Sequence, residues 1–264
     1  MHQAERLGVI LEELSAVGSV GVTDLCERLG MSAATVRRDL ELLEEQRLLT
    51  RTHGGAVAQM VSYELPLRYR SARRQEQKRR IGLEAATRVH DGAVIGLTGG
   101  TTTTEVARAV AHRPLTVVTN ALNIASELAI RRNVKLLVTG GVARSETYEL
   151  VGPIADRAVV DLHLDIVFIG TDGLTADAGL TTHHEIEAHT DRAIMDSAAK
   201  VVVVADSSKL GRIAFVRISP IAVVHELVTD DEADAQELAR IRECGVTVTV
   251  VGPGTPDGDR RPVG

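Results

Sequence analysis

The sequence predicts two folds in one chain: an α+β unit of three short helices and a β-hairpin over residues 1–60, then a larger α/β unit with a mostly parallel sheet over 91–252. Three observations carry this. Apolar residues recur at helical spacing in three blocks before residue 47, whereas after residue 92 they form continuous Val, Ile and Leu runs that alternate with helical stretches. Such runs suit strands covered on both faces. A length of 264 residues also exceeds one ordinary domain and suits two.

Composition narrows the function classes. Hydrophobic residues at 44% and charged residues at 25% exclude wholesale disorder. Aromatics are only 2%, with no Trp, so the core is built from Val, Leu, Ile and Ala, and stacking platforms for single-stranded nucleic acid are disfavoured. The first residues lack the shape of a signal peptide, and the run Val201 to Ala205 is far shorter than the ~18 residues of a membrane span. A soluble, cytoplasmic protein is expected. Cys26 and Cys244 have no partner at ligand spacing, so neither a disulfide nor a zinc site is implied, and no metal or cofactor is expected. The net charge of −6 argues against nucleic acid, but its distribution is uneven: Arg68, Arg70, Arg73, Arg74, Lys78, Arg79 and Arg80 face only Glu64 and Glu76 in the same stretch.

The first helix follows from Leu7, Ile10, Leu11 and Leu14; Gly18 and Gly21 then break the chain before a second stripe, Val22, Leu25, Cys26 and Leu29. Gly30 fits the C-terminal cap of the second helix and Ser32 the N-cap of a third, spanning 33–46. Its inward stripe is Val36, Leu40 and Leu43, which leaves Ala34, Thr35, Arg37, Arg38 and Glu41 outward. A tight turn followed by a helix with cations near its start is the helix-turn-helix arrangement, whose second helix enters the DNA major groove. Arginine suits that place because its fork pairs with guanine or clamps phosphate. The plainer alternative is a solvated face with an Arg37–Glu41 pair.

Residues Leu48 to Val57 read as strand, Gly-Gly turn and returning strand, a wing whose Arg51 and His53 could reach backbone phosphate or a minor groove. The combination Thr35-Val36-Arg37-Arg38-Asp39-Leu40 with Arg51-Thr52-His53-Gly54-Gly55-Ala56 resembles the signature of the DeoR family of bacterial transcription regulators. The resemblance implies a winged helix-turn-helix that binds double-stranded operator DNA, with Ser32, Thr35, Arg37, Arg38, Arg51 and His53 as its DNA-facing residues.

Residues 61–90 read as a basic linker, with one helix from Pro66 to Val89 that either contacts phosphate and relays between domains or is a solvated connector. Beyond it, strands are expected at Ala93–Leu97, Leu115–Val118, Val134–Val138, Ile166–Ile169, Val201–Val204 and Val246–Val251. Ligands of such sheets collect beyond the strand C-termini. The first strand runs into Thr98-Gly99-Gly100-Thr101-Thr102-Thr103-Thr104, where glycine amides, hydroxyls and a helix start could cradle a phosphate. It is neither a Walker loop nor a GxGxxG turn, and it could serve only as a helix cap. Other tips carry Thr119-Asn120, Thr139-Gly140-Gly141, Gly170-Thr171-Asp172-Gly173 and Ala205-Asp206-Ser207-Ser208-Lys209. Together they suit a small polyhydroxylated anion.

This half is similar to the effector domain of DeoR regulators, which in turn resembles ribose-5-phosphate isomerases. The resemblance implies a phosphorylated sugar as ligand, with Lys209 and the turn Gly100, Thr101, Thr102, Thr103 and Thr104 holding phosphate, Asp172 contacting hydroxyls, and Asn120, Gly140 and Gly141 lining the pocket. It also implies a repressor of sugar-metabolism genes that leaves its operator when the ligand binds, and a homodimer or homotetramer without membrane attachment. The alternative is a sugar-phosphate isomerase with a DNA-binding appendage. Against the isomerase pattern, Asp191 stands where the catalytic glutamate belongs, but Ile169 and Thr182 replace an aspartate and a lysine, so no catalytic residue is expected.

His183-His184-Glu185-Ile186-Glu187-Ala188-His189 is not a zinc helix, because His184 and His189 are five apart and point away from each other; it reads as the polar start of a helix beside the pocket. Tyr148 and Glu149 stand open between pocket and structural roles. The Gly- and Pro-rich tail, 253–264, is expected to be flexible.

Overall fold

A computed structural model describes residues 3–58, 66–71 and 73–253. The chain divides into two compact units, Met1–Arg73 and Arg74–Gly264. The first contains α1 (Gln3–Val17), β1 (Ser19–Gly21), α2 (Val22–Leu29), α3 (Ala33–Glu45), β2 (Thr50–Thr52), β3 (Gly55–Val57) and α4 (Leu67–Arg70). Leu7, Ile10, Leu11, Leu14, Leu25, Leu29, Val36, Leu40 and Leu43 of the three sequence stripes form its core with Val20, Leu49, Ala56 and Tyr69, while Val22 and Cys26 of the second stripe pack against it only partly buried. Gly30 ends α2 in the left-handed conformation, and the Ser32 side chain caps α3 by accepting from the Thr35 amide. One strand was not expected. The stretch between Gly18 and Gly21 is no mere break, since β1 pairs antiparallel with β3 and makes a three-stranded sheet in the order β1-β3-β2.

A single basic helix from Pro66 to Val89 does not form. The described residues give α4 and then α5 (Gln75–Ala86), separated by a turn in which Arg74 takes a positive φ of 48°. The cations of the second helix find carboxylates within their own unit, where Arg74 bonds Ser207 and Glu232 and Arg80 approaches Asp231 at 3.8 Å. Buried Lys78 approaches Asp206 at 3.9 Å, and Ile81 and Ala85 sit in the core beneath. The helix is therefore a packed layer of the α/β unit, neither a solvated connector nor a free phosphate-binding face. Residues 61–65 and 72 of the expected linker and 254–264 of the expected tail lie outside the described residues.

The second unit continues with β4 (Val94–Leu97), α6 (Thr101–Val110), β5 (Leu115–Thr119), α7 (Leu122–Leu128), β6 (Val134–Val138), β7 (Val142–Ala143), β8 (Leu150–Val151), α8 (Pro153–Val159) and β9 (Ile166–Ile169). Then follow β10 (Gly173–Thr175), β11 (Gly179–Thr182), α9 (Glu185–Asp196), β12 (Val201–Val204), β13 (Val216–Ser219), β14 (Glu226–Asp230), α10 (Ala235–Glu243) and β15 (Thr247–Val251). Seven strands form one sheet in the order β15-β14-β12-β9-β4-β5-β6, every adjacent pair parallel. Helices α5, α6 and α7 cover one face; α8, α9 and α10 cover the other.

The sheet holds all six expected strands and a seventh, β14, whose Glu226 and Asp230 ends disguise a fully buried strand. Arg88 and Lys200 neutralise Glu226 at 2.7 and 2.8 Å. The antiparallel trio β10-β11-β13 was also not expected. The chain builds outward from β4 through β5 to β6, then returns to place β9 on the other side of β4. This reversal lies at the C-termini of β4 and β9, where sheets of this kind usually form a ligand crevice.

Candidate functional site

On the first unit, α3 sorts its residues by chemistry. Val36, Leu40 and Leu43 face the core, while Arg37 and Arg38 are exposed and make no ion pair among the described residues. Asp39, between Arg38 and Leu40, turns inward and accepts from the Arg6 guanidinium at 2.8 and 3.1 Å. The pair fixes the roll of α3 and so the outward direction of the two arginines. The Arg37–Glu41 pair is absent; Glu41 instead accepts from Arg51 on the wing at 3.0 Å, and Glu44 accepts from the Arg51 amide. Arg51 is thereby tied to α3, its side chain about a third exposed. His53 lies exposed in the two-residue turn, and Ser32 and Thr35 share hydroxyl hydrogen bonding at the helix start.

The strand tips of the second unit lie along one edge of the parallel sheet. Gly100 opens α6 with a φ of 131°, which other residues rarely adopt, and its carbonyl accepts from the Thr103 and Thr104 hydroxyls at 3.0 and 2.6 Å. Those two hydroxyls thus donate within the helix, whereas Thr101 and Thr102 make no side-chain hydrogen bond among the described residues. A Cβ on Gly99 would stand 2.0 Å from the Glu149 Oε1, so the glycine is what lets that carboxylate lie on the loop. Gly170 meets the same loop, where its amide donates to Thr98 Oγ1 at 3.3 Å. Gly140 and Gly141 follow β6 with positive φ.

Asp172 and Lys209 are brought together, Oδ1 to Nζ at 3.1 Å. Lys209 does not pair with Asp206, which instead caps its own turn by accepting from the Ser208 amide at 3.0 Å. The other Asp172 oxygen accepts from Thr182 Oγ1 at 3.2 Å, and the same hydroxyl lies 2.8 Å from Glu187 Oε1. Arg144 pairs with Glu187. Asp191, one turn further along α9, is buried, and this burial, then the charges of Glu187 and Asp172, push its carboxyl well above the usual range. Asn120 is fully buried with neither side-chain polar atom hydrogen bonded. His184 caps α9, as its polar start suggests. Sequence reasoning missed Arg144 and Glu187. Their pairing joins positions 43 apart, a contact no local pattern announces.

Comparison with known proteins accounts for both halves. A model of the DeoR C-terminal sensor domain matches residues 73–231, and one of the DeoR-like helix-turn-helix domain matches 6–60. The chain belongs to the DeoR family. The HTH-type transcriptional regulator GlpR of Haloferax volcanii is 39% identical over 250 residues, covering 94% of this chain and 98% of that protein. The glycerol-3-phosphate regulon repressor of Escherichia coli K12 is 34% identical, over 87% of this chain and 92% of that protein. The HTH-type transcriptional repressor GlcR of Bacillus subtilis is 33% identical, over 87% and 89%. Ribose 5-phosphate isomerase A from Neisseria gonorrhoeae superimposes with a TM-score of 0.38 at 17% identity, over 50% of this chain and 52% of that one, too distant to argue from. These relatives are regulators, so this DeoR chain is a transcription regulator and not an isomerase. Among the described residues no helix is long and apolar enough to cross a membrane.

Proposed function

We propose that this DeoR regulator represses genes of sugar metabolism and leaves its operator when a phosphorylated sugar occupies the crevice beyond β4 and β9. The observation that carries this is the Asp172–Lys209 pair at 3.1 Å, a carboxylate and an ammonium set side by side at the sheet's reversal point. An ammonium and the start of α6 suit a phosphate; a carboxylate suits hydroxyls. The names of two relatives, the glycerol-3-phosphate regulon repressor and a putative aga operon transcriptional repressor, support repression. On the DNA side, Arg37 and Arg38 read the major groove, with Ser32, Thr35, Arg51 and His53 around them. The chain acts as a homodimer or homotetramer, because a single winged unit presents a small DNA interface and operators usually repeat with the symmetry of the protein.

The test is operator affinity of the full chain, by fluorescence anisotropy on the DNA upstream of its own gene, across a panel of sugar phosphates. One of them should release the wild type. Lys209→Ala should bind DNA normally and need about ten- to a hundredfold more effector, as expected for loss of a charge-assisted contact. Normal release from the variant would move the phosphate site elsewhere.

A further inference from the structure

We propose that Glu149, Glu187 and Asp191, with Asn120 beside them, form a binding site for one hard divalent cation. Each carboxylate offers one oxygen, and these oxygens all lie within 4.8 Å of one another. They are 3, 5 and 3% exposed. Two elements deliver them. Glu187 and Asp191 stand one turn apart on the sheet-facing side of α9, whose Ala188 and Ile194 pack against the core. Glu149 comes from the segment before β8, and its side chain lies against Gly99.

Asn120 is the independent observation. It is 0% exposed, yet neither its Oδ1 nor its Nδ2 has a hydrogen-bond partner, which is costly for a buried amide. Alternation along β5 puts it on the face of Val118, which belongs to the same core cluster as Ala188 and Ile194 of α9. Its carbonyl accepts from the Leu150 amide at 2.7 Å, so it lies directly beside Glu149. One oxygen of Asp191, Oδ1, also lacks a partner.

The occupant follows from charge and donor type. Arg144 supplies one positive charge through its pair with Glu187, and three carboxylates this close carry more negative charge than that once a cation has displaced the proton held on Asp191. A polyol brings hydroxyls but no charge to balance the excess. A divalent cation balances it, and an all-oxygen donor set selects magnesium, manganese or calcium over zinc or copper. The Thr182 hydroxyl, shared between Glu187 and Asp172, sets this cation site next to the Asp172–Lys209 pair without including that pair.

The experiment uses the full chain, dialysed against chelator, with Mn²⁺ alone and no sugar phosphate, so its failure would leave the effector reading standing. Paramagnetic resonance of free Mn²⁺ counts the bound ion. About one Mn²⁺ per chain should bind and be displaced by Mg²⁺. Asp191→Asn and Glu149→Gln, with folding checked by circular dichroism, should each weaken binding at least about tenfold, whereas Glu185→Gln, exposed on the first turn of the same helix, should not. If either variant fails to fold, the wild-type count decides alone. No Mn²⁺ bound at millimolar concentration, or unchanged binding in both folded variants, overturns the site.

Discussion

Arg38 and Asp39 are neighbours in sequence and face opposite ways, which divides the signature of α3 into a reading part and a holding part. Asp39 is 1% exposed and bonded twice to Arg6, so replacing it with Ala removes two charge-assisted hydrogen bonds from the core of the unit. We expect a loss of about 1.5–3 kcal/mol in urea denaturation. Arg37→Ala and Arg38→Ala should change stability by no more than ~0.5 kcal/mol and yet weaken operator binding. A base contact would cost ~1–3 kcal/mol and relax one base pair, whereas a phosphate contact would lower the salt slope by about 1. Wild-type affinity in both arginine variants would remove the recognition role from α3. Asp191 makes a separate prediction about pH. Its folded form holds the proton more tightly than the unfolded chain does, because of burial and the charges of Glu187 and Asp172. The sign follows from linkage: its contribution to stability is complete below the ordinary aspartate range and is lost as pH rises through the raised value. In chelator, melting temperature should therefore fall as pH rises through that window, and Asp191→Asn should flatten the fall. An equally steep fall in the variant would assign the dependence to another group.

At the scale of elements, the loop between β4 and α6 makes a test of how strand tips cooperate. Gly99→Ala places a methyl where Glu149 Oε1 now lies, 2.0 Å away, and the carboxylate must move. We expect an overpacking cost of about 1–3 kcal/mol together with weaker Mn²⁺ binding. A variant that loses stability but binds Mn²⁺ as before would separate Glu149 from the cation. The elements also show why sequence reading succeeded where it did. Continuous apolar runs such as Val201–Val204 announce strands buried on both faces, and the stripe Val36, Leu40, Leu43 announces the roll of α3. Strand β14 was hidden because Glu226 and Asp230 are charged, and the groups that make their burial tolerable, Arg88 and Lys200 on Glu226 and the Ser207 amide with Arg74 on Asp230, are remote in sequence. Strand β1 was hidden because three residues, the last of them Gly21, have no period to show. At the candidate site, the strand-tip residues Gly100, Asn120, Asp172 and Lys209 were legible, since a parallel sheet collects its tips at one edge. Arg144 and Glu187 were not, because their meeting depends on how α9 lies against the sheet.

For the whole molecule, the two units must be energetically coupled if a sugar phosphate in one is to release DNA from the other. A ligand shifts this balance only by the difference between its affinities for the DNA-bound and free forms. That difference has a consequence independent of any structural route between the units. Thermodynamic linkage requires operator DNA to weaken effector binding by the same factor by which effector weakens operator binding, typically about 5- to 150-fold. Anisotropy of labelled operator, with and without saturating effector, gives the first factor. Calorimetric titration of effector into the free chain and into the chain saturated with operator gives the second. The two should agree for the wild type, and in Lys209→Ala the effector affinity should fall while operator affinity without effector stays unchanged. Outright mutual exclusion, with no effector bound to the operator-saturated chain and apparent operator affinity falling without limit as effector is raised, would mean that the sugar phosphate acts as a competitor at the DNA-reading surface. The crevice beyond β4 and β9 would then not be the place where induction begins.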